Sequence, residues 1–265
     1  MKYIILTIIL LILAVWSIFV EPKMLNIKNF TLQDEDLKGL KIVFAGDLHI
    51  KNNQERRLIE VIEKINAQNP DLILFTGDFA AGHKKKSSLD FEIYANHLKK
   101  LRAKYGIYTV IGNHDYWAGY EDIKNMLEKS GIKILENSNV PLILENNKKI
   151  YIAGVEDLQT GNPNVYLALD GIESNPTIFL THSPDVFVDV PKGNVKLTLA
   201  GHVHGGQIRL PFVGAVIIPS KYGDRFSQGL IEENERKMIV TKGVGTSILP
   251  IRFNCKPEIV VINFK

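Results

Sequence analysis

Three times in the first half of the chain a short apolar run ends at a glycine that is followed by an acid or an amide. Leu40–Phe44 leads into Gly46-Asp47, Leu72–Thr76 into Gly77-Asp78, and Gly106–Ile111 into Gly112-Asn113. Between the first two runs Leu58, Ile59, Ile62 and Ile65 recur at helical spacing until Asn69-Pro70, and Phe91–Leu101 is amphipathic after the second. Strands alternating with helices predict a parallel-rich sheet, because a parallel pair needs a long crossover that a helix supplies. Tyr151–Ala153, Thr177–Leu180, Lys196–Ala200, Met238–Thr241 and Ile259–Asn263 read as further strands with fewer helices between them, which predicts a second or mixed sheet. In open α/β folds ligands gather at the carboxyl ends of strands, and the polar groups of this chain fall there.

Composition narrows the class. With 45% hydrophobic and 23% charged residues the chain is globular. Cys255 is the single cysteine, so an intramolecular disulfide and a cysteine-based zinc cluster are both excluded. The charge of +3, from 32 basic and 29 acidic side chains, is too balanced for a nucleic-acid groove, and no nucleic-acid partner is expected.

Tyr3 to Val20 is uncharged, and as a helix it would span roughly 27 Å, close to a thin hydrocarbon core. Trp16 stands near one end, where an aromatic ring suits the headgroup layer. A cleaved signal peptide and a buried core helix are the competing readings. The apolar run is long for a signal core and no clean small-residue cleavage site follows, which favours an uncleaved single-pass anchor over residues 1–22 and a location in the bacterial inner membrane. Lys2 on one side is matched by Lys23 and Lys28 on the other, so charge does not select an orientation. Residues 23–40 then read as a connector and 41–265 as the catalytic domain.

The chemistry-bearing groups at the strand ends are Asp47, His49, Asp78, Asn113, His114, His182, His202 and His204. Each motif alone is weak, but five of seven histidines sit at strand ends beside glycine, acid or proline. Carboxylate, amide and imidazole without sulfur suit Mn²⁺, Fe²⁺ or Zn²⁺ in a dinuclear hydrolytic centre better than a structural zinc site. In Asp47-x-His49 and His202-x-His204, side chains two apart on an extended strand end point the same way and can reach one ion.

With these residues assembled the chain resembles the calcineurin-like metallophosphoesterase superfamily. The blocks are Gly46-Asp47-Leu48-His49, Gly77-Asp78, Gly112-Asn113-His114-Asp115, Thr181-His182 and Gly201-His202-Val203-His204, in order across residues 41–207. Gly201–Pro211 and Lys242–Ile259 look like a narrower branch of small membrane-associated bacterial phosphoesterases that includes UDP-2,3-diacylglucosamine diphosphatases. The resemblance implies an α/β, four-layer αββα sandwich of two mixed sheets. It implies one divalent ion held by Asp47, His49, Asp78 and His204, and a second by Asp78, Asn113, His182 and His202. His114 would take the catalytic role of stabilising phosphoryl charge or protonating the leaving group, with metal-activated water as nucleophile. The expected partners are the lipid bilayer and a phosphorylated, lipidic small molecule, of which UDP-2,3-diacylglucosamine from lipid A synthesis is the best single guess. The alternatives are a phosphodiesterase or phosphatase with another substrate, and a non-catalytic metal-binding module.

Four features lie outside these blocks. His83–Lys86 reads as a solvated loop that could otherwise greet an anion, and Glu156-Asp157 as a turn or as a rim of the site. Arg252 reads as half of a structural ion pair that could otherwise contact phosphate, and Cys255 as a small core residue. A lipid substrate further requires an apolar cleft beside the metals, with a cap expected from Gln159–Asn175.

Overall fold

The computed structural model describes residues 1–82, 85–145 and 147–265. Its elements in chain order begin with α1 (Lys2–Val15), β1 (Asn26–Leu32), β2 (Lys41–Ala45), α2 (Glu55–Asn66), β3 (Leu72–Phe75), α3 (Phe91–Leu98), β4 (Ile107–Thr109) and α4 (Asn113–Lys129). They continue with β5 (Lys133–Ile134), β6 (Ser138–Ile143), β7 (Lys149–Gly154), α5 (Val165–Ala168), β8 (Thr177–Leu180) and β9 (Val195–Ala200). The last are β10 (Arg209–Leu210), β11 (Gly214–Ala215), β12 (Gly229–Glu233), β13 (Arg236–Val240) and β14 (Glu258–Phe264).

Two six-stranded sheets result, in the orders β1-β14-β2-β3-β4-β5 and β12-β13-β9-β8-β7-β6. In the first, β2, β3, β4 and β5 run parallel while β14 lies antiparallel to β2. In the second, β7, β8, β9 and β13 run parallel, flanked by antiparallel β6 and β12. Alternation along β2 shows how the layers close. Ile42 and Phe44 point between the sheets and pack with Ile152, Leu180 and Leu199. Val43 and Ala45 point the other way, onto Leu58, Ile62 and Ile65 of α2. A strand covered on both faces must be apolar throughout, which is why these runs were continuous in the sequence. The far face of the second sheet is covered by α5 and a 3₁₀ segment, Pro184–Asp189, around Phe179, Phe187 and Val165. The αββα order is therefore present, with one thick and one thin helical layer.

The stretch read as a connector is part of the sheet. Asn26–Leu32 pairs in parallel with Glu258–Phe264, at the opposite end of the chain. As an edge strand it is half solvated, and its mixed exposure masks the strand pattern. The helical segment at the amino end continues from α1 as far as Lys23 and is long and apolar enough to cross a membrane. Its side chains are exposed through Val15, but Ser17 and Glu21 are buried against the domain. His83 and Lys84, part of the basic run singled out in the sequence, lie outside the described residues.

Candidate metal centre

The carboxyl ends of β2, β3 and β4 meet those of β8 and β9, and all eight singled-out residues come together there, each buried. Asp47 and His49 follow β2, Asp78 follows β3, and Asn113 and His114 open α4. His182 follows β8, and His202 and His204 follow β9. The loops are tightly wound: Asp47, His49, Asp78, His202 and His204 all have positive φ, between 43° and 69°. Non-glycine residues enter that region only where the surroundings hold them, and such strain clusters at functional sites. Close approach of the loops after β3 and β4 depends on glycine, since a Cβ on Gly112 would stand 2.2 Å from Asp78 Oδ1.

Main-chain partners set the imidazole orientations. His49 Nδ1 donates to the Ala80 carbonyl at 2.8 Å and His182 Nδ1 to the Thr76 carbonyl at 2.6 Å, which leaves both Nε2 lone pairs facing inward. Around the first position, His49 Nε2 lies 3.1 Å from His204 Nε2, and His204 Nε2 lies 3.8 Å from Asp47 Oδ1. Around the second, His182 Nε2 lies 2.9 Å from Asn113 Oδ1, and His202 Nδ1 lies 3.1 Å from both. Asp78 stands between them, its Oδ2 3.5 Å from His49 Nε2 and 3.4 Å from His182 Nε2. Buried lone pairs converging on lone pairs repel one another unless a cation or proton sits among them, so the donor set fits divalent ions.

The titration behaviour shows the same crowding. Burial raises Asp47 to about 7 against the pull of His182, while burial lowers His49 and His202 to about 4. His182 moves the other way, to about 10: burial disfavours its cation, but the Asp78 carboxylate outweighs burial. Asp78 itself is held below the carboxylate range because His182, with His49 and His114, outweighs its burial.

Asp115 is a working residue beyond the sequence-derived set. Its carboxylate accepts the backbone N–H groups of Asp78, Ala80 and Gly112 at 2.8, 2.9 and 3.2 Å, tying the β3 and β4 loops together. Its place as third residue of α4 was the available signal, because an acid there caps a helix start. Gln159 is a second addition. Asp157 makes a turn by accepting from the Gln159 and Thr160 amides, and Gln159 Nε2 then stands 3.4 Å from His202 Nε2. A third is Ser247, whose Oγ is 3.3 Å from His114 Nε2.

Two clefts flank the cluster. The wider, of about 740 Å³, carries the polar side chains of Lys51, Asn52, Asn53, Ser87 and His114 on a lining that also holds Ala81, and it shares Ser247 and Ile248 with the second. An apolar one of about 240 Å³ beside His202 and His204 is lined by Ile208, Val216, Ile217, Pro219, Ile248 and Leu249. The cap expected from Gln159–Asn175 is not there. That segment folds onto β6, where Asn139 Nδ2 donates to the Ala168 and Asp170 carbonyls.

The model of the calcineurin-like phosphoesterase family matches residues 40–206, which hold every one of these strand-end groups. The chain belongs to that family. It is 34% identical over 260 residues to the uncharacterized metallophosphoesterase YkuE of Bacillus subtilis, covering 93% of this chain and 88% of that one. It is also 34% identical over 229 residues to the phosphodiesterase YaeI of Escherichia coli, covering 84% and 81%. A transmembrane protein with metallophosphoesterase domain from Danio rerio is 28% identical, covering 87% of this chain and 54% of that one. This calcineurin-like phosphoesterase is a metal-dependent phosphoester hydrolase, and the strand-end cluster contains groups that could hold a metal ion.

Arg252 departs from the ion pair expected of it. Fully buried, its guanidinium donates to the main-chain carbonyls of Lys242, Gly243, Gly245 and Cys255 and so ties the loop after β13 to the strap before β14. Gly245 N in turn donates to the Asp47 carbonyl at 2.7 Å. Cys255 is buried as expected, with its Sγ against the His204 carbonyl.

Proposed function

We propose that this phosphoesterase holds two divalent ions and hydrolyses a phosphodiester or pyrophosphate bond of an amphiphilic lipid at a membrane surface. The observation that carries the two-ion reading is the position of Asp78 Oδ2 between His49 Nε2 and His182 Nε2. Asp47, His49 and His204 would complete one ion's donors, and Asn113, His182 and His202 the other's; Asp78 would serve both. Bound divalent ions supply neutralisation of phosphoryl charge and water acidic enough to act as a nucleophile near neutral pH.

The rest is done by the protein's own groups. His114 is held by its backbone N–H on Asp78 Oδ1 at 2.9 Å, and its ring faces the wider cleft. It would donate a proton or hydrogen bond to the phosphoryl or leaving oxygen. Lys51 and Asn52 offer donors to an anionic head, while Val216, Ile217 and Leu249 exclude water in the adjoining apolar cleft, which shares Ser247 and Ile248 with the first. A wide cleft carrying these donors beside a smaller apolar cleft fits an amphiphile with its phosphate in the first and its apolar part in the second.

The membrane reading is supported by the apolar helix and by a relative named as a transmembrane protein. UDP-2,3-diacylglucosamine is the first substrate to assay, beside a soluble aryl phosphodiester. The full chain would be stripped of metal, resupplied with Mn²⁺ and assayed in detergent micelles, with Asp78→Asn as control. Metal-dependent turnover of the lipid supports the amphiphile reading; turnover of the aryl diester alone discards the lipid and keeps the hydrolase.

A further inference from the structure

Outside α1, the exposed large apolar residues of the described chain are mostly scattered, but two loops carry a concentration of them. The β10–β11 hairpin and the segment that follows it present Phe212, fully exposed, with Val213 and Ile217; the other loop presents Ile248 and Leu249. Phe212 and Ile248 have φ of 67° and 59°, a region costly for any side chain and most of all for a β-branched one. The backbone thus holds two large apolar groups outward at a conformational cost, where water would favour burying them.

The two loops are joined to each other and to the foot of α1. Gln207 Nε2 donates to the Ser247 carbonyl at 3.0 Å, and Ser247 N donates to Gln207 Oε1 at 2.8 Å. The strap that follows Leu249 reaches the helical segment just past α1, where Arg252 N donates to the Ser17 carbonyl at 2.9 Å. Glu21 accepts from Trp16 Nε1 with one carboxylate oxygen and from Cys255 N with the other. Pro211, at the base of the hairpin turn, lines a cavity together with Trp16. Arg209 steadies the hairpin through Asp224 and the Gly205 carbonyl. The exposed apolar tips are therefore tied into the same structure as the end of the apolar helix.

We propose that these two loops form a second membrane contact, in which Phe212, Val213 and Ile248 enter the interfacial layer of the phospholipid bilayer beside α1. This rests on the reading of α1 as a membrane anchor. Continuity with α1 selects a bilayer as the occupant, since any bilayer spanned by α1 lies against its foot. With two contacts the domain cannot swing freely about its anchor. The apolar cleft between Ile217 and Leu249, which leads to His202 and His204, then opens toward the lipid.

The test uses the full chain reconstituted into vesicles of phosphatidylethanolamine and phosphatidylglycerol. Three single variants, Phe212→Cys, Ile248→Cys and Tyr166→Cys, are labelled with an environment-sensitive fluorophore. Cys255 is 1% exposed and stays unlabelled, and Tyr166, 86% exposed on α5, is the control. The expected result is several-fold brighter, blue-shifted emission at 212 and 248, quenched by nitroxide lipids, with a water-like signal at 166. Water-like emission at all three positions in chains that float with the vesicles overturns the second contact and leaves the anchor standing. Chains that do not float overturn the anchor and the second contact together. Protection at 212 that nitroxide lipids do not quench, and that grows with protein density, marks a second copy of the chain and overturns the proposal. As an independent readout, Phe212→Ser should lower turnover of vesicle-embedded substrate several-fold and leave a soluble aryl diester unaffected; equal loss on both overturns it.

Discussion

The Asp115 carboxylate accepts the backbone N–H of Asp78 at 2.8 Å, so one buried acid fixes the loop that places another between His49 and His182. Asp115→Ala would leave three buried donors unpaired, at about 1–3 kcal/mol each. We expect a fall in stability of about 3 kcal/mol or more, and a loss of activity of about 10–100-fold as the loops loosen. Thermal unfolding and steady-state kinetics on the metal-loaded chain check both. Unchanged melting would show that water replaces the carboxylate without cost.

His114→Ala should lower kcat by about 10²–10⁴-fold, the usual contribution of a proton-transferring side chain, with little change in KM. Metal content, read by mass spectrometry, should stay at the level of the unsubstituted chain. Loss of one equivalent would instead make His114 a ligand, since its ring nitrogen also lies near His49 and Asp78.

Asp78→Asn should weaken both ions and His204→Ala only one, because Asp78 Oδ2 faces both clusters while His204 faces His49 and Asp47. Equilibrium dialysis against Mn²⁺ measures the stoichiometry, and activity should fall by more than about a hundredfold in both variants. Equal metal loss from the two would argue against the bridging position.

His182 supplies a pH dependence. Before metal is added its proton is held up to about 10 by Asp78, above the ordinary imidazole value of 6.5. A raised folded value stabilises the metal-free fold fully below about pH 6.5, and that stabilisation is lost as pH rises through 10. Ligation removes the same proton, so between about pH 8 and 9, above the titration of Asp47 near 7, metal affinity should climb by about tenfold per pH unit. Calorimetry at about pH 8.5 in buffers of different ionisation enthalpy should find about one proton released per chain, that of His182. No buffer dependence would mean the proton is already absent.

Arg252→Met would remove the donors that four main-chain carbonyls share, among them Gly245, whose amide supports Asp47. Destabilisation of about 3 kcal/mol or more is expected, with reduced activity in the fraction that stays folded. Denaturant unfolding measures it. A neutral result would show that the loop after β13 holds without the guanidinium.

Much of the fold was legible because its signals are local. Strands buried on both faces read as continuous apolar runs, and the candidate donors stand just after them. The spacing expectation fails for His202-x-His204: both residues are left-handed (φ 69° and 51°) and not extended, so His202 faces His182 and Asn113 while His204 faces His49 and Asp47. Edge strands were less legible. Asn26–Leu32 alternates imperfectly because one side meets solvent, and its partner lies at the far end of the chain. Ser138–Ile143 is likewise half exposed, with its hydrogen bonds directed to β7.

The sequence by itself determined which residues could hold a metal, that they stand at the ends of strands, and that the chain begins with an apolar helix. Only the tertiary structure decided that Asp115 ties two loops, that Arg252 binds carbonyls where a carboxylate was expected, and that the apolar cleft is built from residues 206–219 and 247–249. It alone set Phe212 and Ile248 facing outward on loops tied through Gln207 and Arg252 to the end of the apolar helical segment. The reason is physical. Periodicity and spacing follow from backbone geometry within a few residues, whereas a side chain's partner depends on which sheet faces and loops close against each other across the whole chain.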